Sequence, residues 1–460
     1  MKKTIIRALS VSAISAASLL AMTGCGVKGA TYEKGNPVKV GIICLHDDKS
    51  TYDANFINAL KEAAKDLGES KMVLTDDCIL TGKDENEQCY EAAKDLVKKG
   101  CNVVIADSFG HQSYMLKAAQ EWPTVQFYHA TGTNAKTANL DNYHNAFASI
   151  YEGRYLAGYA AGLRLLVDNL SDIYSRTWEG TKVGYVGAFP YAEVKSGYTA
   201  WFLGLREVFH DISISQAISG VELPDYADKI TMDVKFTNSW YDVNAEASAA
   251  EALIKGGATL ISQHADSMGA PGVCEEKNIP NVTYNIETGK DCPKTYLAYS
   301  RINWAPYYKN IVNSLFEGKA LDGEKNHNWT GTLATGSVEY NVNWDNVSKN
   351  LSEGMEEVEE LLKQVFDLQV KAIKEGKDKV FDTSKFTLTV TDKKNVGAVV
   401  DTNKHLTSYK ADTDGDFKGD TEVVVAATTT ANGYFNESIE CSAPYFDLDI
   451  DGINLPEANA

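Results

Sequence analysis

From residue 38 onward the chain alternates short apolar runs with segments whose apolar residues recur at helical spacing, and few folds accept that order. Residues 38–45 read as a buried strand. Residues 53–67 then set Phe56, Ile57, Leu60, Ala63, Ala64 and Leu67 on one side of a helix. A short strand at 72–75, a helix at 86–99 stopped by Gly100, a strand at 102–107, a helix at 113–122 and a strand at 124–129 follow. Strands joined through helices pair in parallel, so this rhythm predicts a doubly wound sheet. A second set begins with a helix at 151–166, where Ala157, Gly158, Ala160, Ala161 and Gly162 permit close packing. It continues with a strand at 182–188, helix 193–210, strand 234–237, helix 244–255 and strand 259–263. Strands at 282–285 and 295–300 are expected to return to the first sheet, ahead of a helix at 305–317. The fold class is therefore α/β, with two doubly wound parallel-sheet lobes. Lobe 1 spans 38–149, with 283–320 returning to it, and lobe 2 spans 150–282.

Residues 321–460 break the rhythm and read as an α+β extension, partly packed on lobe 2. A helix at 352–374 is followed by Thr/Val-rich segments, with strands expected at 386–390 and 422–427. Glu356, Glu357, Glu359 and Glu360 form a solvated helix face. Asp412-Thr413-Asp414-Gly415-Asp416 has calcium-loop residues, but the Gly is misplaced for an EF-hand and the closing Glu is missing, so a plain turn is favoured.

The amino terminus carries Lys2, Lys3 and Arg7, an apolar stretch from Ala8 to Met22, and then Met22-Thr23-Gly24-Cys25. A basic start, a short apolar core and small residues form a secretory signal at 1–24. The cysteine resembles that of a bacterial lipobox, with Met22 where Leu is more usual. Cys25 is thus the expected lipidation site, and 25–37 a lipidated linker. Two or more acyl chains give stable anchoring. The expected location is the extracytoplasmic face of the cell membrane. No later stretch approaches a membrane-spanning length.

A net charge of −19 over 460 residues argues against nucleic acid as a partner, since phosphates demand a cationic surface. With Cys25 set aside, seven cysteines remain, an odd number that cannot all pair within one molecule. Cys44 and Cys101 read as small buried hydrophobes. Cys78–Cys89 and Cys274–Cys292 are open as disulfides. No Cys/His cluster has zinc spacing, so neither a metal nor a cofactor is expected.

Ligands of doubly wound sheets bind beyond the carboxyl ends of the strands. After the first strand the chain offers His46-Asp47-Asp48-Lys49-Ser50-Thr51-Tyr52-Asp53 and then Asn55. Ser50 or Asp53 also suits a helix cap. Later strand ends offer Ser108-Phe109-Gly110, Thr237-Asn238-Ser239-Trp240-Tyr241-Asp242, Gln263-His264-Ala265-Asp266-Ser267 and Asn285-Ile286-Glu287. Aromatic walls at Tyr52, Phe109 and Trp240 suit a flat ring. Polar groups at Asp48, Asp266 and Asn285 suit the edges of a heterocycle or the hydroxyls of a sugar, with Ser50 and Asn55 shaping the rim. Each also fits packing or turn chemistry. GxSxG, GxGxxG and P-loop motifs are lacking. A hydrolase built on Asp47-Asp48 would need Asp266 and Glu287 beside it. A binding protein is the reading preferred over an enzyme.

These residues resemble the basic membrane protein family of lipoproteins, the purine nucleoside receptor group of ABC-transporter solute-binding proteins. The resemblance runs from about Val38 to Glu317. It rests on Asp48-Lys49-Ser50 with Asn55, on Tyr151-Glu152-Gly153-Arg154-Tyr155-Leu156-Ala157-Gly158, and on Val183-Gly184-Tyr185-Val186-Gly187-Ala188-Phe189-Pro190. Asn238-Ser239-Trp240-Tyr241-Asp242, Gln263-His264-Ala265-Asp266-Ser267 and Asn303-Trp304-Ala305-Pro306-Tyr307-Tyr308 match one branch. The resemblance implies a type I periplasmic-binding-protein fold that catches a purine nucleoside or base between two lobes and delivers it to a membrane ABC permease. It also implies an aromatic sandwich, with Tyr52 or Phe109 on one side and Trp240 on the other. Asn285 and Asn303 stand where the nucleoside receptors use an acid and a lysine, which leaves a free base or another heterocycle open. A sugar receptor on the same fold is the alternative, and a nucleoside-processing enzyme a further one.

Overall fold

A computed structural model of the protein describes residues 33–210, 224–319, 327–390, 395, 397–401, 406–411, 421–424, 433–439 and 441–456. The signal segment, Cys25 and the Asp412–Asp416 turn lie outside the described residues.

The apolar runs become two parallel sheets because helices cover both faces and bury each strand from both sides. In the first sheet the order is Asn328–Gly331, Tyr143–Ala148, Gln126–Ala130, Val103–Ala106, Val38–Ile43 and Met72–Val73, with Ile79–Leu80 also pairing with Val38–Ile43. Every pairing in it is parallel. In the second the order is Val338–Val342, Tyr296–Ile302, Asn281–Tyr284, Ala258–His264, Thr181–Gly187, Ile230–Phe236 and Ile453–Asn454. Only its first pairing is antiparallel.

The expected return of 283–320 to the first sheet is corrected by these pairings. Asn281 and Val282 register with Ile261 and Ser262, and Tyr296–Ile302 pairs beyond them, so both strands belong to the second sheet. What returns is the helix Ala305–Phe316. It packs on helix Thr51–Leu67 through the Phe56–Trp304 rings (4.4 Å between centroids) and the Lys309–Asp66 pair (2.6 Å). Strand Asn328–Gly331 then closes the first sheet's edge, and Val338–Val342 goes back to the second. The chain therefore crosses between sheets near 149, 303 and 334. Adjacent crossings are hydrogen-bonded, Ser149 N–H to Gly331 O (2.7 Å) and Asn303 N–H to Ser337 O (2.8 Å).

The closest helix contact in lobe 2 lies between Ile150–Asp168 and Ala192–His210. A Cβ on Gly158 would stand 1.9 Å from Trp201 O, and one on Gly204 would stand 1.9 Å from Tyr155 O. Only glycine permits backbones this near.

The extension lies against this helix pair. Helix Glu356–Lys374 buries Leu362, Phe366, Val370 and Ile373, and leaves Glu356, Glu357 and Glu360 in solvent. A three-stranded antiparallel sheet joins Val399–Val400, Leu406–Ala411 and Thr421–Val424. Residues 386–390 form no strand. Their links to 451 are Asp451 N–H to Thr387 O and two bonds from Thr389 to the Asp451 side chain, which is too little for a ladder. Lys195 meets Asp447 (2.7 Å) and Asp449 (3.3 Å), and Ser196 Oγ donates to Glu437 Oε2 (2.8 Å). Among the described residues, no helix is long and apolar enough to cross a membrane.

Candidate functional site

The carboxyl ends of the two sheets face each other across a narrow cleft. Leu45, His46, Tyr52, Asp53, Ser108, Phe109 and Thr131 line it from lobe 1, and Glu193, Trp240, His264, Asp266 and Tyr284 from lobe 2. The lobes touch across it. Thr51 N–H donates to Asp266 O (3.0 Å), and the ring pairs His46–Tyr241 (5.8 Å) and Phe109–Tyr191 (6.0 Å) bridge the gap.

On the lobe 1 side, Ser50 caps helix Thr51–Leu67. Its Oγ accepts from Asp53 N–H and donates to Asp53 Oδ2 (2.5 Å), while His46 N–H reaches Asp53 Oδ1 (2.9 Å). Burial works to raise the Asp53 carboxyl, but the His46 and Ser50 hydrogen bonds outweigh it and leave the pKa below its ordinary value. Tyr52 lies in the cleft wall with its hydroxyl on Asp107 O (2.9 Å). The turn carrying Phe109 is braced by Glu85, which accepts from Ser108 Oγ (2.6 Å) and Gly110 N–H (2.7 Å).

On the lobe 2 side, Trp240 packs edge-on to Phe189 (5.2 Å) and at 5.9 Å from Tyr191, and its carbonyl accepts Asp266 N–H (2.9 Å). Asp266 is buried. Burial drives its carboxyl well above the usual range, and the neighbouring charges of Asp53, Glu246 and Glu193 push the same way. Asn285 has φ +68°, a left-handed conformation that amides tolerate. It donates from Nδ2 to Asp266 Oδ1 (3.5 Å). Burial pushes Glu193 up to about 7, against the pull of Arg154. His264 Nε2 is 3.5 Å from Glu193 Oε1, but burial and the Arg154 charge hold the imidazole neutral, so this contact is not an ion pair. Arg154 is itself buried, with its guanidinium 3.5 Å from the Tyr284 ring centroid and Nη1 on Gln263 O (2.8 Å).

Of the residues expected from sequence, Tyr52, Phe109, Trp240 and Asp266 meet in the cleft, and Asn285 sits behind Asp266. Three are placed elsewhere. Asp48 is exposed on its loop. Ser50 is spent on the cap. Asn55 is buried and donates from Nδ2 to Ile302 O (2.7 Å), so it braces the helix against the crossing near 303 instead of shaping a rim. Glu193 and Tyr284 line the cleft without having been expected there, whereas Asp53 and His264 fall within the strand-end segments named above. The loop after strand Thr181–Gly187 leads straight to Glu193, so the strand-end rule could have found it. Of the four acids that a hydrolase built on Asp47-Asp48 would use, Asp47, Asp48 and Glu287 are exposed and Asp266 lines the cleft.

One group of metal-capable donors occurs among the described residues. Cys44, Asp53 and Asp107 bring ligand atoms within 4.8 Å of one another. Asp53 is already engaged with Ser50 and His46, and Asp107 Oδ1 accepts Leu45 N–H (3.2 Å). All seven described cysteines are buried free thiols. Cys78 Sγ lies 3.6 Å from Cys101 Sγ, whereas Cys89 Sγ faces His111 O, so a Cys78–Cys89 pairing does not match the geometry.

The arrangement offers aromatic side chains from both lobes, the carboxyls of Asp53, Glu193 and Asp266 among them, and no lysine or arginine on the lining. It suits an uncharged, flat or hydroxyl-bearing solute.

Residues 42–374 match the model of a family described as ABC transporter substrate-binding protein, PnrA-like. A purine-binding protein of Brucella abortus is 29% identical over 257 residues, covering 56% of this chain and 63% of that one. A protein of Haloferax volcanii named as an ABC transporter glucose-binding protein is 28% identical over 281 residues, covering 61% and 62%. The chain thus spans about three-fifths of the length of these relatives. A solved ABC transporter solute-binding protein from Aeropyrum pernix K1 superimposes with a TM-score of 0.54 at 14% identity, over 75% of this chain and 93% of that one. That likeness speaks to the fold, the two-lobed architecture of type I periplasmic-binding proteins.

Proposed function

Because the chain belongs to the PnrA-like family of ABC transporter substrate-binding proteins, we propose that it captures a purine base or nucleoside in the inter-lobe cleft and presents it to a membrane permease. The observation that carries this reading is that aromatic side chains from both lobes, Tyr52 and Phe109 on one side of the chain crossing and Trp240 on the other, line one cleft together with Asp266. Stacking on both faces selects a flat ring, and Asp266 with Asn285 addresses its edge. Ligand bridging both lobes favours the closed arrangement over an open one. Export and anchoring through Cys25 belong to the same proposal, since a receptor must meet its solute outside the membrane. The name of the Brucella abortus relative supports a purine.

The Haloferax volcanii relative favours a second reading, a hexose, because sugars also lie on aromatic faces and bond to carboxylates. A thermal-shift screen separates the two, since a ligand that binds only the folded form raises the melting temperature. Adenine, guanine, their nucleosides and a hexose panel would be tested on the wild type and on Trp240→Ala. A purine-specific shift, weakened about 10-fold or more in affinity in the variant, is expected. No shift with any purine, together with a shift by a hexose, would overturn the purine reading.

A further inference from the structure

Cys78 and Cys101 lie 23 positions apart and meet with their sulfurs at 3.6 Å, in van der Waals contact. Both are buried, at 0% and 2% exposure. They approach from opposite sides of strand Val38–Ile43. Cys78 ends the turn Asp76–Cys78 and leads into Ile79–Leu80, which pairs with Ile42 and Ile43 on one side. Cys101 precedes Val103–Ala106, which pairs on the other side. On that strand, a Cβ on Gly41 would lie 2.7 Å from Leu96 Cδ2 and 3.1 Å from Cys101 Sγ, so the missing side chain leaves room for Leu96 and for the Cys101 sulfur.

We propose that Cys78 and Cys101 close a disulfide when the chain folds outside the membrane, a step that rests on the export reading above. One thiolate attacks the disulfide of an exchange partner, a small-molecule or protein disulfide, and expels one of its sulfurs as thiolate. The second cysteine loses its proton and attacks the mixed disulfide, forming Sγ–Sγ and releasing the partner's other sulfur. Two electrons and two protons pass to the partner, which leaves as thiols. In the folded protein, burial pushes the Cys101 thiol up to about 12, so few thiolates form there and closure belongs to folding. The sulfurs must approach from 3.6 Å to about 2.05 Å.

The bond would tie off the segment 78–101, which contains helix Glu87–Lys98 and, ahead of it, Glu85. Glu85 is the residue that holds the turn of Phe109 through Ser108 Oγ and Gly110 N–H. Oxidation would therefore stiffen the support of one aromatic wall of the cleft.

The mature chain would be refolded in glutathione buffers from reducing to oxidising, alkylated and mapped by non-reducing peptide mass analysis. The expected result is a 78–101 linked peptide, two fewer alkylated thiols and a melting temperature raised by about 5 °C. Cys101→Ser should abolish the link without moving it to Cys89. Two alkylated thiols at 78 and 101 in an oxidised chain that still folds and melts cooperatively would overturn the proposal. Should Cys101→Ser fail to fold, Cys78→Ser supplies the same readout from the other side. Chains trapped by alkylation in cells distinguish the two readings. A link that forms in the buffers but is reduced in cells counts against export and not against the geometry.

Discussion

Replacing Glu437 by Gln tests how the extension is fastened to lobe 2. Glu437 is fully buried between Ser196, which donates to Oε2 (2.8 Å), and Phe446 N–H, which donates to Oε1 (3.2 Å). Burial pushes its carboxyl up to about 8, and those two hydrogen bonds do not offset it. The folded state therefore holds a proton that the unfolded chain sheds near 4.5. Stability is fully present below about 4.5 and is lost as pH rises toward about 8. At pH 7 the loss is about 3 kcal/mol, from roughly 1.4 kcal/mol per pH unit above the unfolded value. A glutamine cannot ionise, keeps an acceptor for Phe446 and turns a donor toward Ser196 Oγ. Glu437→Gln should match the wild type at pH 4.5 and exceed it by about 3 kcal/mol at pH 7. Urea unfolding at pH 4.5, 6, 7 and 8 measures this. Other buried acids, among them Glu152 and Glu246 at about 7, titrate in both proteins and cancel in the difference. A difference that is constant with pH, or a variant less stable at pH 7, would refute the burial argument.

Two further substitutions probe packing. Gly158→Ala places a Cβ 1.9 Å from Trp201 O, and moving two packed helices apart should cost about 3 kcal/mol in denaturant unfolding. Asn55→Ala leaves the buried Ile302 carbonyl without its 2.7 Å partner. It should lower stability by about 1–3 kcal/mol while ligand affinity, measured by calorimetry, changes less than 3-fold.

The helices and most of the parallel strands were legible because both-face burial writes unbroken apolar runs and amphipathic helices write a 3.6-residue period. Strand Tyr143–Ala148 was not, since His144 and Asn145 interrupt the run. Both are buried on polar partners, His144 Nε2 with Gln126 Oε1 (2.8 Å) and Asn145 Oδ1 with Ala135 N–H (2.7 Å), which periodicity cannot foresee. Sheet membership was equally hidden. Strands Asn281–Tyr284 and Tyr296–Ile302 would suit either lobe, and it is the pairing of the first with 258–264 and of the second with the first that assigns them. The strand-end rule led to Phe109, Trp240 and Asp266, which lie on the cleft lining, whereas Asp48 and Asn55 lie off it. Position along a loop or helix says little about direction when a cap at Ser50 fixes which side chains turn inward. The rule applied equally to the loop before Glu193, where Phe189 and Tyr191 stack at 4.9 Å beside Trp240.

The acids of the cleft make closure itself sensitive to protons. Thr51 N–H to Asp266 O is a hydrogen bond between the lobes at the cleft, and beside it Asp266 stands in the field of Asp53. Asp266 is raised first by burial and next by that neighbouring charge, and Glu193 is raised to about 7 by burial in the same cleft. Opening the lobes admits water and separates Asp266 from Asp53, so both causes weaken together. Groups whose pKa is higher in the closed state bind protons on closing, and closure must then be favoured by lower pH. The window runs from the ordinary carboxylate range, near 4 for an open and hydrated cleft, up to about 7 for closed Glu193. A distance label on each lobe, read by fluorescence transfer without ligand, should report a rising closed fraction as pH falls from 8 to 5. Asp266→Asn removes one of the titrating groups and should flatten the response. A closed fraction independent of pH in the wild type would mean that Asp266 and Glu193 stay as shielded in the open form as in the closed one, and the link between burial and lobe closure would fail.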